Sequence, residues 1–330
     1  MFRIAYYLLF YLPQAMEHRI ISLLGDLGWT SSIGKKSSET SFTTYSLKKD
    51  DRLISLIEAS KYPDKVWSLL FSLYLSDQVM LRIDRIDREL GETLIALDLL
   101  GKRSGFKYIS EEVDISRLDA VMKGNIASDY PTFDPDPSSM RDWLFTQPLR
   151  SSSGPTMVVV DQSFNVKGVG CVVLGFVMSG TVKRHQELVA DPGGHVTQVR
   201  SIQIHDIDMD EAPNGARVGL AMKNIGPEEL PRGSVLSDGK ANINVRTELD
   251  LNVRPSPFWK GGLEAGMRLH ALSSLQFIPC LVTSVGTPAG GALPISLKME
   301  SSIWTRPGDK VGLVHLDSKS FRFFAAGETL

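Results

Sequence analysis

A chain of 330 residues is long enough for two or three domains that each bury a core, and 42% hydrophobic with 22% charged residues is ordinary for a soluble globular protein. A net charge of -2 excludes a global attraction to polyanions, so an RNA contact would need a local basic patch, and nothing points to DNA. Cys171 and Cys280 lie in apolar strand-like runs with no CxxC spacing or nearby histidine, which excludes a disulfide framework and a zinc site and fits a reducing cytoplasm.

The opening MFRIAYYLLFYLP is apolar but shorter than the roughly 20 residues of a bilayer crossing. No A-x-A-like cleavage site follows it. We expect residues 1–15 to be an extension, Met16 to be the natural first residue, and no membrane association. From Met16 to about residue 150, apolar runs alternate with helical stretches, the pattern of a parallel α/β domain.

Arg19 to Leu24 reads as the first strand. It runs into Gly25-Asp26-Leu27-Gly28-Trp29-Thr30-Ser31, placed between strand and helix where a phosphate-binding loop belongs. A working loop is G-x-x-x-x-G-K-[ST], with backbone amides around the phosphates, a lysine neutralising them and a hydroxyl on magnesium. Here the glycine spacing is two residues shorter, and Trp29 stands in the place of the lysine. Lys35 and Lys36 come too late to replace it, leaving Gly25, Gly28, Thr30 and Ser31 as the residues that could still meet a nucleotide. A charge-assisted phosphate contact contributes about 1.5–3 kcal/mol, so its loss removes much of the binding energy for a triphosphate.

Gly91 to Gly101 has helical apolar spacing with Gly101 as the residue after its end. Asp134 to Ser139 and Ser151 to Pro155 are Pro, Ser and Gly clusters that read as turns or linker, the second being the expected domain boundary. After it, Val158 to Asp161, Cys171 to Val177 and Val199 to Ile204 are β-branched runs bounded by turn residues, a spacing that indicates a barrel or sandwich over 155–241. Gly168 and Gly170 flank Val169 where positive φ or a close backbone approach is needed. His205 to Glu211 gathers four acids, but it lacks the glycine and distant glutamate of a calcium loop and reads as an acidic turn. Further β-rich runs at Glu248 to Val253, Arg268 to Leu272 and Val311 to Leu316 indicate a second all-β unit over 242–330. No Ser-His-Asp, Cys-His or HExxH arrangement occurs, so we expect no catalytic residue and no metal site.

Three motifs in order, Phe164-Asn165-Val166-x-Gly168-x-Gly170, Ala212-Pro213-x-Gly215-x-Arg217-Val218-Gly219 and Arg232-Gly233-x-Val235-Leu236, closely resemble the second domain of translational GTPases of the elongation factor Tu and SelB type. Thr305-Arg306-Pro307-Gly308-Asp309 and Ser320 to Gly327 resemble a turn and the closing segment of the third domain of that family. Tyr62 to Leu70, Ser76 to Leu81 and Gly91 to Gly101 resemble its G domain. The likeness is nearest to archaeal SelB-like paralogues whose G domain is also degenerate, such as the pyrrolysine-associated factor.

The resemblance implies a degenerate, P-loop-like α/β G domain followed by two all-β barrels. It also implies which chemistry is gone. The Asp-Cys/Ala-Pro-Gly-His segment that serves magnesium and water is replaced by Glu58-Ala59-Ser60-Lys61-Tyr62, and the guanine-reading Asn-Lys-x-Asp by Ile109-Ser110-Glu111-Glu112-Val113-Asp114. We therefore expect GTP with magnesium, the one cofactor implied, to be no longer bound or hydrolysed. The expected partner is tRNA or the ribosome, met through the barrels. By position, Gln203 and His205 would face a terminal adenosine, with Arg200 and Arg217 near phosphates. The alternative for these four is that alternate residues are barrel core and the others a solvated face. At the level of function the alternatives are a GTP-binding elongation factor with an unconventional loop and a protein-interaction scaffold.

Overall fold

The structure is a computed structural model and describes residues 17–25, 30–50, 52–133, 136–147 and 153–329. The residues before Glu17, including Met16, and the loop positions Asp26, Leu27, Gly28 and Trp29 lie outside the described residues.

Strands Glu17–Leu24 (β1), Lys35–Glu39 (β2), Thr43–Lys49 (β3), Arg52–Glu58 (β4), Gln78–Ile83 (β5) and Gly105–Ile109 (β6) form one sheet in the order β2-β3-β4-β1-β5-β6. β4, β1, β5 and β6 run parallel, and β3 and β2 add an antiparallel edge. The central strands are apolar on both faces because both faces are covered. Ile20, Leu24, Val79 and Leu81 pack on one side, Ile21, Leu23 and Met80 on the other.

The helices are Thr30–Ile33 (α1), Val66–Leu75 (α2), Arg88–Leu100 (α3), Ile115–Met122 (α4) and Pro137–Thr146 (α5). α2 reads VWSLLFSLYL and is buried everywhere except at Trp67 and Tyr74, as a helix apolar all round must be. Those two side chains reach the second barrel: the Trp67 and Phe277 rings stand 5.1 Å apart, and the Tyr74 hydroxyl lies 3.0 and 2.7 Å from the Leu272 and Lys310 carbonyls. α3 begins at Asp87, whose carboxylate accepts from the Leu90 N–H at 2.8 Å, and ends at Gly101 in the left-handed conformation, as its spacing predicts. On the opposite face of the sheet, Met140 and Leu144 of α5 join the core and Trp143 meets Phe106 edge to face at 4.4 Å.

One expectation is corrected here. The described part of the cluster from Asp134 to Ser139 starts a helix instead of a turn: Asp136 caps α5 by accepting from the Ser139 N–H at 2.9 Å, and Pro137 opens its first turn. Proline lacks an N–H that would be unpaired there in any case, so a turn-like composition is equally a helix start.

The first barrel comprises Met157–Val166 (β7), Gly170–Ser179 (β8), Thr181–Lys183 (β9), Glu187–Asp191 (β10), His195–Ile204 (β11), Ile207–Met209 (β12), Glu211–Pro213 (β13), Arg217–Lys223 (β14) and Val235–Ser237 (β15). Its strands run β10-β15-β7-β8-β14-β11 and close through β10 on β11. Val158, Val160, Val173 and Val177 fill the interior. At the β7–β8 tip Gly168 and Gly170 take φ of 81° and 94° with nothing within 4 Å of an added Cβ, so backbone handedness, and not close approach, requires glycine.

Asn244–Pro255 (β16), Arg268–Ser273 (β17), Gln276–Val285 (β18), Leu293–Thr305 (β19), Lys310–Val314 (β20) and Phe323–Thr329 (β21) close a second barrel in the order β16-β19-β18-β17-β20-β21. The main core cluster runs across all three units. It joins Leu69 and Leu73 of α2 and Ile95 and Leu97 of α3 to Met157 and Phe176 of the first barrel and to Leu272, Trp304 and Phe323 of the second.

Candidate functional site

In parallel α/β sheets, ligands bind at the carboxyl ends of the strands. Here the ends of β1 and β5 open into a cavity of about 420 Å³ lined by Gly25, Tyr62, Arg82, Asp84, Asp87 and Glu89 among others. Its charges come from the end of β5, the loop after it and the first turn of α3. Arg85 and Arg82 face three carboxylates, and each guanidinium is held by an acid two residues on: Arg82 by Asp84 at 2.8 Å and Arg85 by Asp87. Gly25 sits here with φ of 102°, and a Cβ on it would stand 2.0 Å from the Arg82 carbonyl oxygen. The glycine that opens the expected phosphate loop is thus demanded by strand packing.

Thr30 is fully buried in α1 and Ser31 is exposed, while Gly28 is not among the described residues. The Thr30 side chain is hydrogen-bonded to Glu58 at the end of β4, which Tyr45 also approaches, and burial raises the Glu58 carboxyl above the usual range. The hydroxyl is thus engaged by the carboxylate, whose Oε2 is itself buried without a hydrogen-bond partner among the described residues. The described part of α1 is a single turn. Beyond β6, where guanine would be read, Asp114 caps α4 by accepting from the Arg117 N–H at 3.1 Å, and Glu111 and Glu112 are exposed. The described residues do not fit a magnesium triphosphate. No group of three or more His, Cys, Asp or Glu among them is arranged to hold a metal.

The four barrel residues divide into two pairs. Arg200 and Gln203 are exposed on β11: Arg200 donates to the Val169 carbonyl at 3.1 Å, beside the half-exposed Phe164, Val166 and Val169 of the hairpin tip, and Gln203 donates to Asp208 at 2.9 Å. His205 and Arg217 instead face the seam with the α/β domain. Arg217 donates to the Ser38 hydroxyl at 2.8 Å, and burial lowers its pKa with Asp161 opposing. Burial also lowers His205, with Arg217 next in effect. His18 of β1 joins them, because its own titration is depressed by burial and then by His205.

Sequence reasoning missed the groups that clamp the three units together. Arg322 before β21 bonds Glu92 of α3 through Nη2 at 2.5 Å and through its backbone N–H at 2.6 Å, and the carboxylate is almost wholly buried. Arg232 binds Asp161 at 2.8 Å and also reaches the Ser41 hydroxyl. The Trp304 indole donates to the Gly233 carbonyl at 2.5 Å, tying barrel to barrel. Their trace in the sequence was an arginine inside two of the quoted segments, Arg232 and Arg322, with no sign of its partner.

An α/β domain carrying two docked barrels, with a strand-end crevice in the first, is the architecture of the elongation factor Tu and SelB class. Residues 170–237 match the family Elongation factor Tu domain 2. An uncharacterized protein of Methanocaldococcus jannaschii is 34% identical over 306 residues, covering 92% of this chain and 97% of its own length. The selenocysteine-specific elongation factor of the same organism is 27% identical over 173 residues, which are 48% of this chain and 37% of that factor. Among solved structures, the elongation factor SelB of Methanococcus maripaludis in complex with the GTP analogue GppNHp superposes with a TM-score of 0.80 at 18% identity, covering 95% of this chain and 79% of that one. The chain belongs to the family of that uncharacterized Methanocaldococcus jannaschii protein, and it is similar to elongation factors of the Tu and SelB type.

Proposed function

We propose that this translation-factor-like protein binds tRNA or the ribosome through its barrels in the cytoplasm, and neither binds nor hydrolyses GTP. The observation that carries the loss of GTP is the crevice at the end of β1 and β5, where Arg82 and Arg85 are each tied to an acid two residues on, while Thr30 is engaged by Glu58 at the end of β4. A triphosphate brought there would meet Asp84, Asp87 and Glu89 before any unengaged cation of the lining. What supports RNA binding is the surface of β11 and the β7–β8 tip, where Arg200 stands among exposed apolar side chains. An arginine fork suits phosphate, and apolar groups beside it suit an unpaired base.

Calorimetric titration with GTP and GDP in magnesium tests the first half. No binding as tight as about 10 µM, roughly -7 kcal/mol, is expected, and finding it would overturn this half. For the second half, tRNA affinity is expected to fall steeply with salt, and Arg200→Glu to weaken it and lower the salt slope by about 1. A protein that binds neither tRNA nor ribosomes at low salt would leave the barrels as protein-binding modules.

A further inference from the structure

A second cavity, of about 360 Å³, lies where the three units meet, bounded by Leu100, Lys102, Met178, Trp304, Arg306 and Lys310 among others. That volume is within the roughly 300–1,000 Å³ typical of small-molecule sites. Its lining has three cations against one acid, Asp309. Asp309 is taken up by Arg306, whose backbone N–H, Nε and Nη2 lie 2.9, 3.3 and 3.0 Å from its oxygens. Two ammonium groups remain.

Each ammonium is placed by a helix end. Lys102 Nζ donates to the Ser76 carbonyl at 2.9 Å just past α2, and Lys310 Nζ donates to the Leu99 carbonyl at 3.0 Å in the last turn of α3. Carbonyls at a helix C-terminus favour a cation, which accounts for where the two lysines sit. One bond apiece leaves each with two further N–H donors. Neither forms a salt bridge among the described residues. Asp77 acts on Lys102 from nearby, and its carboxylate also accepts from the Ile20 N–H at 3.3 Å. Burial pushes the Lys102 ammonium down to about 8, with Lys310 adding to the shift and Asp77 opposing it. Two like charges bordering one cavity repel unless an anion lies between them.

We propose that the junction cavity binds a small oxyanion of the phosphate class, either free phosphate or the phosphate of a mononucleotide, through Lys102 and Lys310. Trp304, Met178 and Leu100 would cover any apolar part of the ligand. Because the lining comes from all three units, the ligand stabilises their docked arrangement by mass action. The site is remote from the strand-end crevice in its lining residues and does not depend on whether GTP is bound there.

The test is calorimetric titration of the full chain with inorganic phosphate and, separately, with AMP in a magnesium-free chloride buffer. Saturable binding is expected with at least one probe, weakened at least about tenfold by Lys102→Met and by Lys310→Met and unchanged by the surface variant Lys36→Met. Binding of AMP without binding of free phosphate would identify an organic phosphate as the source. Should Lys102→Met not fold, as circular dichroism would reveal, Lys310→Met decides. Absence of heat with both probes at about 10 mM, or binding that survives Lys310→Met, overturns the proposal.

Discussion

Both nitrogens of the His18 ring are buried without a hydrogen-bond partner among the described residues, and the side chain is only 7% exposed. Burial, with His205 second, pushes its pKa from 6.5 down to about 4. Between those values the unfolded chain binds a proton that the folded one does not, so stability rises with pH. The contribution is complete above about 6.5 and lost as pH falls toward 4, amounting to about 3 kcal/mol. Urea unfolding at pH 5 and pH 7 should show a larger acid loss in the native chain than in His18→Leu. Equal losses would mean that His18 is not the group responsible. Arg217 and His205 belong to the same seam, which is why two side chains expected to face RNA face the α/β domain instead.

β1 and α1 follow one another in the order of a nucleotide-binding unit. Gly25 combines a φ of 102° with a backbone approach that leaves no room for a Cβ against Arg82. Gly25→Ala should therefore destabilise the chain by about 2–3 kcal/mol, through left-handed strain and steric overlap, and a thermal or urea melt measures it. A midpoint within error of the native one would show that the β1 end can shift freely. Position and residue type were readable at Gly25, but its reason was not, since Arg82 comes from a strand far along the chain. The same limit applied to Asp136 and Pro137, where composition alone does not separate a turn from a capped helix.

The three units share a core and are joined by buried polar clamps. Glu92 lies under Arg322 with its carboxylate removed from water, so deleting the cation leaves an uncompensated buried charge. Arg322→Ala should cost about 3–5 kcal/mol, whereas Arg322→Met with Glu92→Gln should cost less, because the charge then goes with its partner. Thermal unfolding gives the cost, and small-angle scattering reports whether the second barrel leaves α3. An Arg322→Ala protein with native stability and native dimensions would show that the apolar contacts of α2 and α3 hold the barrel unaided.

Short-range pattern sufficed for the elements of this protein. The β-branched runs of Val158 to Asp161 and Cys171 to Val177 and the helix ending at Gly101 each depend on neighbours a few residues apart. Ordered motifs then carried the architecture of an α/β domain with two barrels. The docking of these units was beyond such pattern, because burial is a property of whichever surface arrives from elsewhere in the chain. That docking turned Arg217 from a candidate phosphate contact into a partner of Ser38, placed Glu92 under Arg322, and brought Lys102 and Lys310 to one cavity. Each of those pairings joins residues far apart in sequence, and only tertiary packing decides which charges lose their water and which groups take its place.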